Sequence, residues 1–358
     1  MISIDLRRVH LEFLYEYGLF LAKTVTFVLA VIALIAVAAA SAIKQKHKKG
    51  ELEITDLSEH YEEVEQEVIH ALLNKEELKE KEKQDKKAEK QKAKDAKKAL
   101  AEGESLPSKP HLFVVDFTGS IDAKEVSSLR EEISAILSVA KEEDEVFVRL
   151  ESGGGLVHGY GLASSQLDRI KQHNIPLTIA VDKVAASGGY MMACVADKII
   201  SAPFAILGSI GVIAQVPNFN RLLKKHDVDF EQFTAGEFKR TVTMFGENTE
   251  KGREKFIEEL EETHVLFKDF VSNHRPSLDI SSVATGEHWF GSKAHELGLV
   301  DEISTSDDYL QSKNKSHKIV AIKYEMKKGL AEKFSKAASL SVDACLGKIF
   351  QKNKVLPG

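Results

Sequence analysis

The chain has 358 residues, a formal net charge of −6, and 43% hydrophobic and 29% charged residues. That length fits one sizeable domain with accessory segments, and no basic globular part with interleaved aromatics points to nucleic acid. Its two cysteines, Cys194 and Cys345, are too few for a disulfide framework or a zinc site and are expected as small apolar residues.

The first element in chain order is "TVTFVLAVIALIAVAAASAI", residues 24–43, which carries no charge. Twenty helical residues rise about 30 Å, enough to cross a bilayer core. Tyr15, Tyr17 and Phe20 precede it as interfacial aromatics. The flank of residues 1–23 carries Asp5, Glu12 and Glu16, which argues for an anchor rather than a cleaved signal peptide. Lys44, Lys46, Lys48 and Lys49 outnumber Arg7, Arg8 and Lys23 by one, so the positive-inside count leans towards a cytoplasmic C-terminal side.

Residues 44–110 read as a charged helical or disordered linker. Residues 51–73 are acidic with a narrow stripe of Val64, Val68, Ile69 and Leu72, and residues 75–98 carry eleven Lys against seven Asp or Glu. Opposite charges four apart support a solvated helix with little to bury.

From His111 strands and helices alternate. "HLFVVDF" (111–117), "EVFVRL" (145–150) and "PLTIAVD" (176–182) suit buried strands, and 123–140 and 157–173 have helical spacing. The succession predicts an α/β domain over 111–310 with a largely parallel sheet. Residues 199–220 carry no charge either, but Pro203, Gly208, Gly211 and Pro217 interrupt them. "KIIS" and "GVIAQ" are expected there as short buried strands rather than a second membrane span. A helix follows over 249–274, with Phe256, Leu260, Val265, Leu266 and Phe270 among its apolar positions. Residues 311–358 form a basic region whose lysine-rich helix, after residue 320, suits anionic lipid, a neighbouring subunit or its own domain.

Two glycine-rich turns carry the chemistry. In "VAASGGYMMAC" Ser187 follows a strand and precedes a helix that Gly188 opens. Free N–H groups at such a turn can hold the oxyanion of a tetrahedral intermediate. "LESGGGLV" is a second strand-to-helix turn, and two such turns on parallel strands meet at the carboxyl edge of the sheet. A nucleophilic serine needs a base. His226 reads as a solvated helix end, and His158 is the best histidine but lacks an evident carboxylate partner. A lysine serves only when burial favours its neutral amine. Lys239, in "TAGEFKRTVTMF", is the lysine with Phe233, Phe238, Met244 and Phe245 around it in sequence. The bland alternative is an exposed lysine paired with Glu237.

"ESGGG", "AASGGYMMAC", "APFAILGSIGVI" and "TAGEFKRTVTMF", in that order, and the later "ATGEHWFGSKAHELGLVDEI" resemble peptidase family S49, the signal peptide peptidase A group. The resemblance runs through about residues 110–305. It implies a ClpP/crotonase-like α/β core behind an N-terminal segment with one membrane anchor, in the bacterial inner membrane. It implies Ser187 as nucleophile, Lys239 as general base, Ser209 orienting the lysine, and the N–H groups of Gly154 and Gly188 as oxyanion hole. Hydrophobic peptides such as signal-peptide remnants are the implied substrates, with no metal or other cofactor, a homo-oligomer with composite sites, and a periplasmic active site. Two other classes stay open: a crotonase-like acyl-CoA enzyme using a carboxylate base such as Glu151, and a silent membrane scaffold.

Overall fold

The computed structural model of the chain describes residues 15–32, 50–101 and 109–326. Helix α1 (Tyr15–Ile32) spans 18 residues, about 27 Å of rise, long and apolar enough to cross a membrane. Its threonine hydroxyls are self-contained, because Thr24 and Thr26 donate to the carbonyls of Phe20 and Ala22 one turn back. The helix thus takes in residues 15–23 ahead of the uncharged run, and residues 1–14 and 33–43 lie outside the described residues.

A second unit, Leu52–Tyr324, is a mixed α/β domain. Strand β1 (Glu51–Asp56) leads into helices α2 (Leu57–Leu72) and α3 (Lys75–Ala101). Next come β2 (His111–Thr118), α4 (Val126–Leu137), β3 (Glu145–Glu151), α5 (Val157–Gln172) and β4 (Leu177–Val181). Short elements follow: β5 (Val184–Ala186), α6 (Gly188–Ala193), β6 (Lys198–Ser201), β7 (Ile206–Gly208) and α7 (Asn220–Lys225). The long α8 (Glu250–His274) precedes α9 (Ile280–Val283), β8 (His288–Phe290), α10 (Gly291–Glu296), β9 (Glu302–Ile303), α11 (Ser306–Lys313) and β10 (Lys318–Glu325).

The main sheet runs β1-β10-β2-β3-β4-β6-β9, and every pairing from β10 to β9 is parallel. Because side chains alternate across a strand, each apolar run feeds two cores. Phe113, Val115 and Phe117 of β2 join Val146 and Val148 of β3 against α4, α5 and α6. Leu112, Val114 and Phe147 face the other way, onto Tyr309 and Leu310 of α11, with Leu57 and Tyr61 of α2 packed alongside. A smaller sheet, β5-β7-β8, is joined to the main one by a bridge between Ser152 and Ala185.

Several expectations are corrected. The acidic segment expected in the linker opens as a strand, and Ser58 Oγ accepts from Ile319 N–H at 2.9 Å, tying α2 to β10. Residues 318–325 are a strand, not helix, since Ile319 and Ile322 are buried and the segment pairs with β2. The strand near "GVIAQ" falls earlier, at β7, because positive φ at Gly208 (92°) and Ser209 (52°) turns the chain out of the sheet. Ile199, Ile200, Leu207 and Ile210 pack in the cores of the domain, while Ile213 is 80% exposed. On α8 the buried positions are Gly252, Phe267 and Val271, whereas Val265 and Leu266 face solvent. Cys194 is fully buried, and its thiol is pushed up by burial, as befits an inert apolar residue. Cys345 and the basic C-terminal helix lie outside the described residues.

Candidate active site

The carboxyl ends of β3 and β4 deliver the two glycine turns to one place. Strand β3 runs into Ser152–Gly155, and β4 passes through β5 to Ser187 at the head of α6. Every residue of α6 is buried, and the Tyr190 hydroxyl donates to the Leu299 carbonyl at 3.0 Å. The nucleophile turn therefore stands on a fixed base.

Ser187 has φ 53° and ψ −121°, a conformation that costs a residue with a Cβ roughly 1–3 kcal/mol. Three bonds hold it there. Its N–H donates to Gly208 O at 2.8 Å, its carbonyl accepts from Met191 at 3.0 Å, and the preceding Ala186 N–H donates to Ser152 O at 3.0 Å. Strain held in this way is frequent where a side chain must be aimed.

Gly154 has φ 85°, and a Cβ there would lie 2.6 Å from Gly188 N and 2.8 Å from Ser187 Cβ. Only glycine allows the two turns to approach so closely. A Cβ on Gly188 would lie 2.4 Å from the Tyr160 ring, so the residue after Ser187 is held to glycine by packing as well. The Gly188 N–H has no hydrogen-bond partner among the described residues, whereas the Gly154 N–H donates to Ser152 Oγ at 3.1 Å.

Ser187 opens onto two spaces. One, of about 590 Å³, is also lined by Gly153, Gly154, Gly155, Ser209, His264 and Thr285. The other, of about 80 Å³, is apolar, with Val157, Met191, Ile213 and Phe267 around Ser187 and Gly188. A carbonyl could sit at the first while an apolar side chain enters the second. Ser209 shares the first space with Ser187, and its N–H donates to Glu287 O at 2.6 Å.

Lys239 does not join them within one chain. It is exposed, and it lines a separate cavity of about 730 Å³ with Val216, Phe230, Phe233, Met244 and Phe245. Three of the four apolar residues noted around it in sequence belong to that cavity or its rim, but they do not bury it in the single chain. Glu237, the alternative partner for Lys239, pairs instead with Lys251 at 2.5 Å. His158 is exposed and lines neither space at Ser187, and His226 caps α7 in solvent. Glu151, the carboxylate of the acyl-CoA alternative, is paired with Lys183 at 2.9 Å.

Sequence reading missed His264. Its ring Nε2 lies 3.2 Å from Ile210 O, at the wall of the Ser187 space. The signal is present: positions 264, 267 and 271 share one helix face, and Phe267 and Val271 are buried. Among the described residues no cluster of His, Cys, Asp and Glu could hold a metal ion.

Comparison with known proteins identifies the fold's family. The profile described as Peptidase family S49 N-terminal matches residues 12–167, and that of Peptidase family S49 matches residues 169–320. The chain belongs to peptidase family S49. The boundary between the two profiles falls inside α5, so it does not mark a structural division. A protein named probable protease SohB from Haemophilus influenzae is 58% identical over 92% of this chain and 94% of its own. A probable protease SohB from Buchnera aphidicola subsp. Schizaphis graminum is 49% identical over 97% of this chain and all of its own. Protease 4 of Haemophilus influenzae is 27% identical over 61% of this chain and 36% of its own length.

Proposed function

We propose that this chain is a membrane-anchored serine endopeptidase with a Ser-Lys dyad and a ClpP/crotonase-like core, acting on hydrophobic peptides. The observation that carries the reading is Ser187 itself, held at positive φ and opposite a glycine turn at the carboxyl edge of a parallel sheet. Ser187 Oγ attacks the peptide carbonyl while the neutral amine of Lys239 takes its proton. The resulting oxyanion is held by the N–H groups of Gly188 and Gly154. Lys239 then passes the proton to the leaving amine, and water attacks the acyl-enzyme with the same lysine as base.

Lys239 enters this scheme from a second copy of the chain. Its own cavity shares no lining residue with the spaces at Ser187, and the segment around it exposes Phe233 (89%) and Phe238. A neighbouring copy would cover these apolar side chains, bury the lysine and favour its neutral form. Ser209, beside Ser187, would then receive the incoming amine. The apolar pocket at Ser187 suits an aliphatic side chain before the scissile bond, and α1 would keep the enzyme where such peptides partition.

The test is hydrolysis of a fluorogenic apolar peptide by the full chain in detergent, beside Ser187→Ala and Lys239→Ala. Loss in both folded variants is expected. Full turnover by Lys239→Ala would remove lysine from the mechanism, and full turnover by Ser187→Ala would remove the nucleophile.

A further inference from the structure

Beneath the glycine turn that faces Ser187 runs a chain of hydrogen bonds with one direction. Gly154 N–H donates to Ser152 Oγ at 3.1 Å, Ser152 Oγ lies 2.5 Å from the Tyr160 hydroxyl, and that hydroxyl donates to Ser120 O at 2.8 Å. A phenol has one proton, and here it is committed to the Ser120 carbonyl. The short contact therefore has Ser152 as donor, and the Ser152 lone pairs are left to accept from Gly154. Ser152 and Tyr160 are 2% and 0% exposed, and burial pushes the Tyr160 phenol up, so it keeps its proton.

The main chain of Ser152 is tied to the other turn. Its N–H donates to Val184 O at 2.9 Å and its carbonyl accepts from Ala186 N–H at 3.0 Å, on the strand that ends at Ser187. One residue thus grips the glycine turn by its side chain and the nucleophile strand by its backbone. The Tyr160 ring behind it is the surface against which Gly188 packs. Filling space at this point would require only a methyl group; the hydroxyl adds an acceptor for one particular N–H.

We propose that Ser152, backed by Tyr160, is a positioning residue of the oxyanion site: its Oγ holds the Gly154 N–H between turnovers and yields it to the oxyanion as the tetrahedral intermediate forms. The inference rests on Ser187 being the nucleophile. A developing alkoxide is a stronger acceptor than a hydroxyl, so it competes with Ser152 for the donor. Between turnovers the hydroxyl keeps a half-buried N–H satisfied, which removes the incentive for the glycines to collapse onto another acceptor.

The experiment uses the full chain in detergent and compares wild type, Ser152→Ala and Tyr160→Phe. Three quantities are read: kcat and KM on an apolar fluorogenic peptide, the affinity of a boronic-acid analogue of that peptide, and peptide binding in a Ser187→Ala background. We expect kcat to fall about tenfold in Ser152→Ala and about threefold in Tyr160→Phe, less than the loss of a whole oxyanion donor. KM should stay within about twofold, and boronate affinity should weaken in step with kcat. Peptide binding in the Ser187→Ala background should not change when Ser152→Ala is added. If Ser152→Ala does not fold, Tyr160→Phe, which keeps the ring, decides alone. Wild-type kcat in the folded variants, or a loss confined to peptide binding, overturns the inference while leaving the peptidase reading intact. Activity that persists in Ser187→Ala overturns that reading and the inference with it.

Discussion

The main chain that carries Ser187 is bonded into the sheets and rests on a buried helix, whereas Lys239 lies in an irregular, exposed stretch. Ser152 is bonded to β5 and to Tyr160, Ser187 is bonded to β7, and the helix beneath them is buried throughout. The stretch from 214 to 249 contains one short helix and exposes Leu222 and Phe233. Asn218 and Asn248 hold its loops through the carbonyls of Thr243 and Gly246, yet its aromatic side chains have no core to enter. The contrast separates what one chain can finish from what it cannot. A strained nucleophile needs a rigid base at all times, while an apolar segment left in water is stable only with a partner surface.

The largest expected effect tests the rigid half. Ser187→Ala should lower peptide hydrolysis by about 10³-fold or more in steady-state assays, with an unchanged melting profile, as befits loss of a nucleophile. Next is the open half: Phe233→Glu should cost both activity and assembly, read together by enzyme assay and by mass from light scattering. The same variant should leave the melting of the α/β domain within about 0.5 kcal/mol, because an exposed side chain is being replaced. Activity that survives in a monomer would break the comparison.

Two further predictions concern the frame that carries the rigid half. Arg275, 9% exposed, forks onto Asp301 at 2.8 and 2.7 Å, and also donates to Gly298 O at 3.0 Å. Burial alone would raise the Asp301 carboxyl, but the guanidinium and the Ile199 N–H outweigh it and hold that carboxyl low. Arg275→Ala should lower unfolding free energy by about 3 kcal/mol in denaturant titration, since it strands a partly buried carboxylate.

The smallest effect is a pH dependence. Burial raises Glu132 on α4 to about 7, with Tyr324 N–H donating to it at 2.8 Å. Between about pH 4.5 and 7 the folded chain keeps a proton that the unfolded chain releases. Stability should therefore fall as pH rises through that window, by at most about 3 kcal/mol. Glu132→Gln should flatten the profile of melting temperature between pH 5 and 8. An unchanged profile would remove Glu132 as its source.

Much of this contrast is legible in the sequence. Buried parallel strands appear as unbroken apolar runs, which is why β2, β3 and β4 were visible as "HLFVVDF", "EVFVRL" and "PLTIAVD". The glycine turns were visible because few other settings put Ser187 between alanines and paired glycines. β1 and β10 were hidden because Glu51, Glu53, Lys318 and Lys323 interleave with their apolar residues, the mark of strands near a sheet edge. β7 was misplaced by a few residues because the positive φ at Ser209 has no sequence signature. Beyond its helix face, His264 carries no signal of its own in sequence, because a lone histidine among the apolar positions of a helix is more often a core residue than part of a site. The environment of Lys239 could not be read from one chain, since on the proposed reading another copy completes it.

The most direct test of that reading is complementation between two inactive variants. Full-length Ser187→Ala and Lys239→Ala chains are co-expressed with different tags and mixed assemblies are isolated through both. If each active site takes its serine from one copy and its lysine from the next, the mixed assemblies should recover about a quarter of wild-type turnover, the random-pairing value, while each parent stays silent. Mixed assemblies as silent as their parents would contradict a site shared between copies.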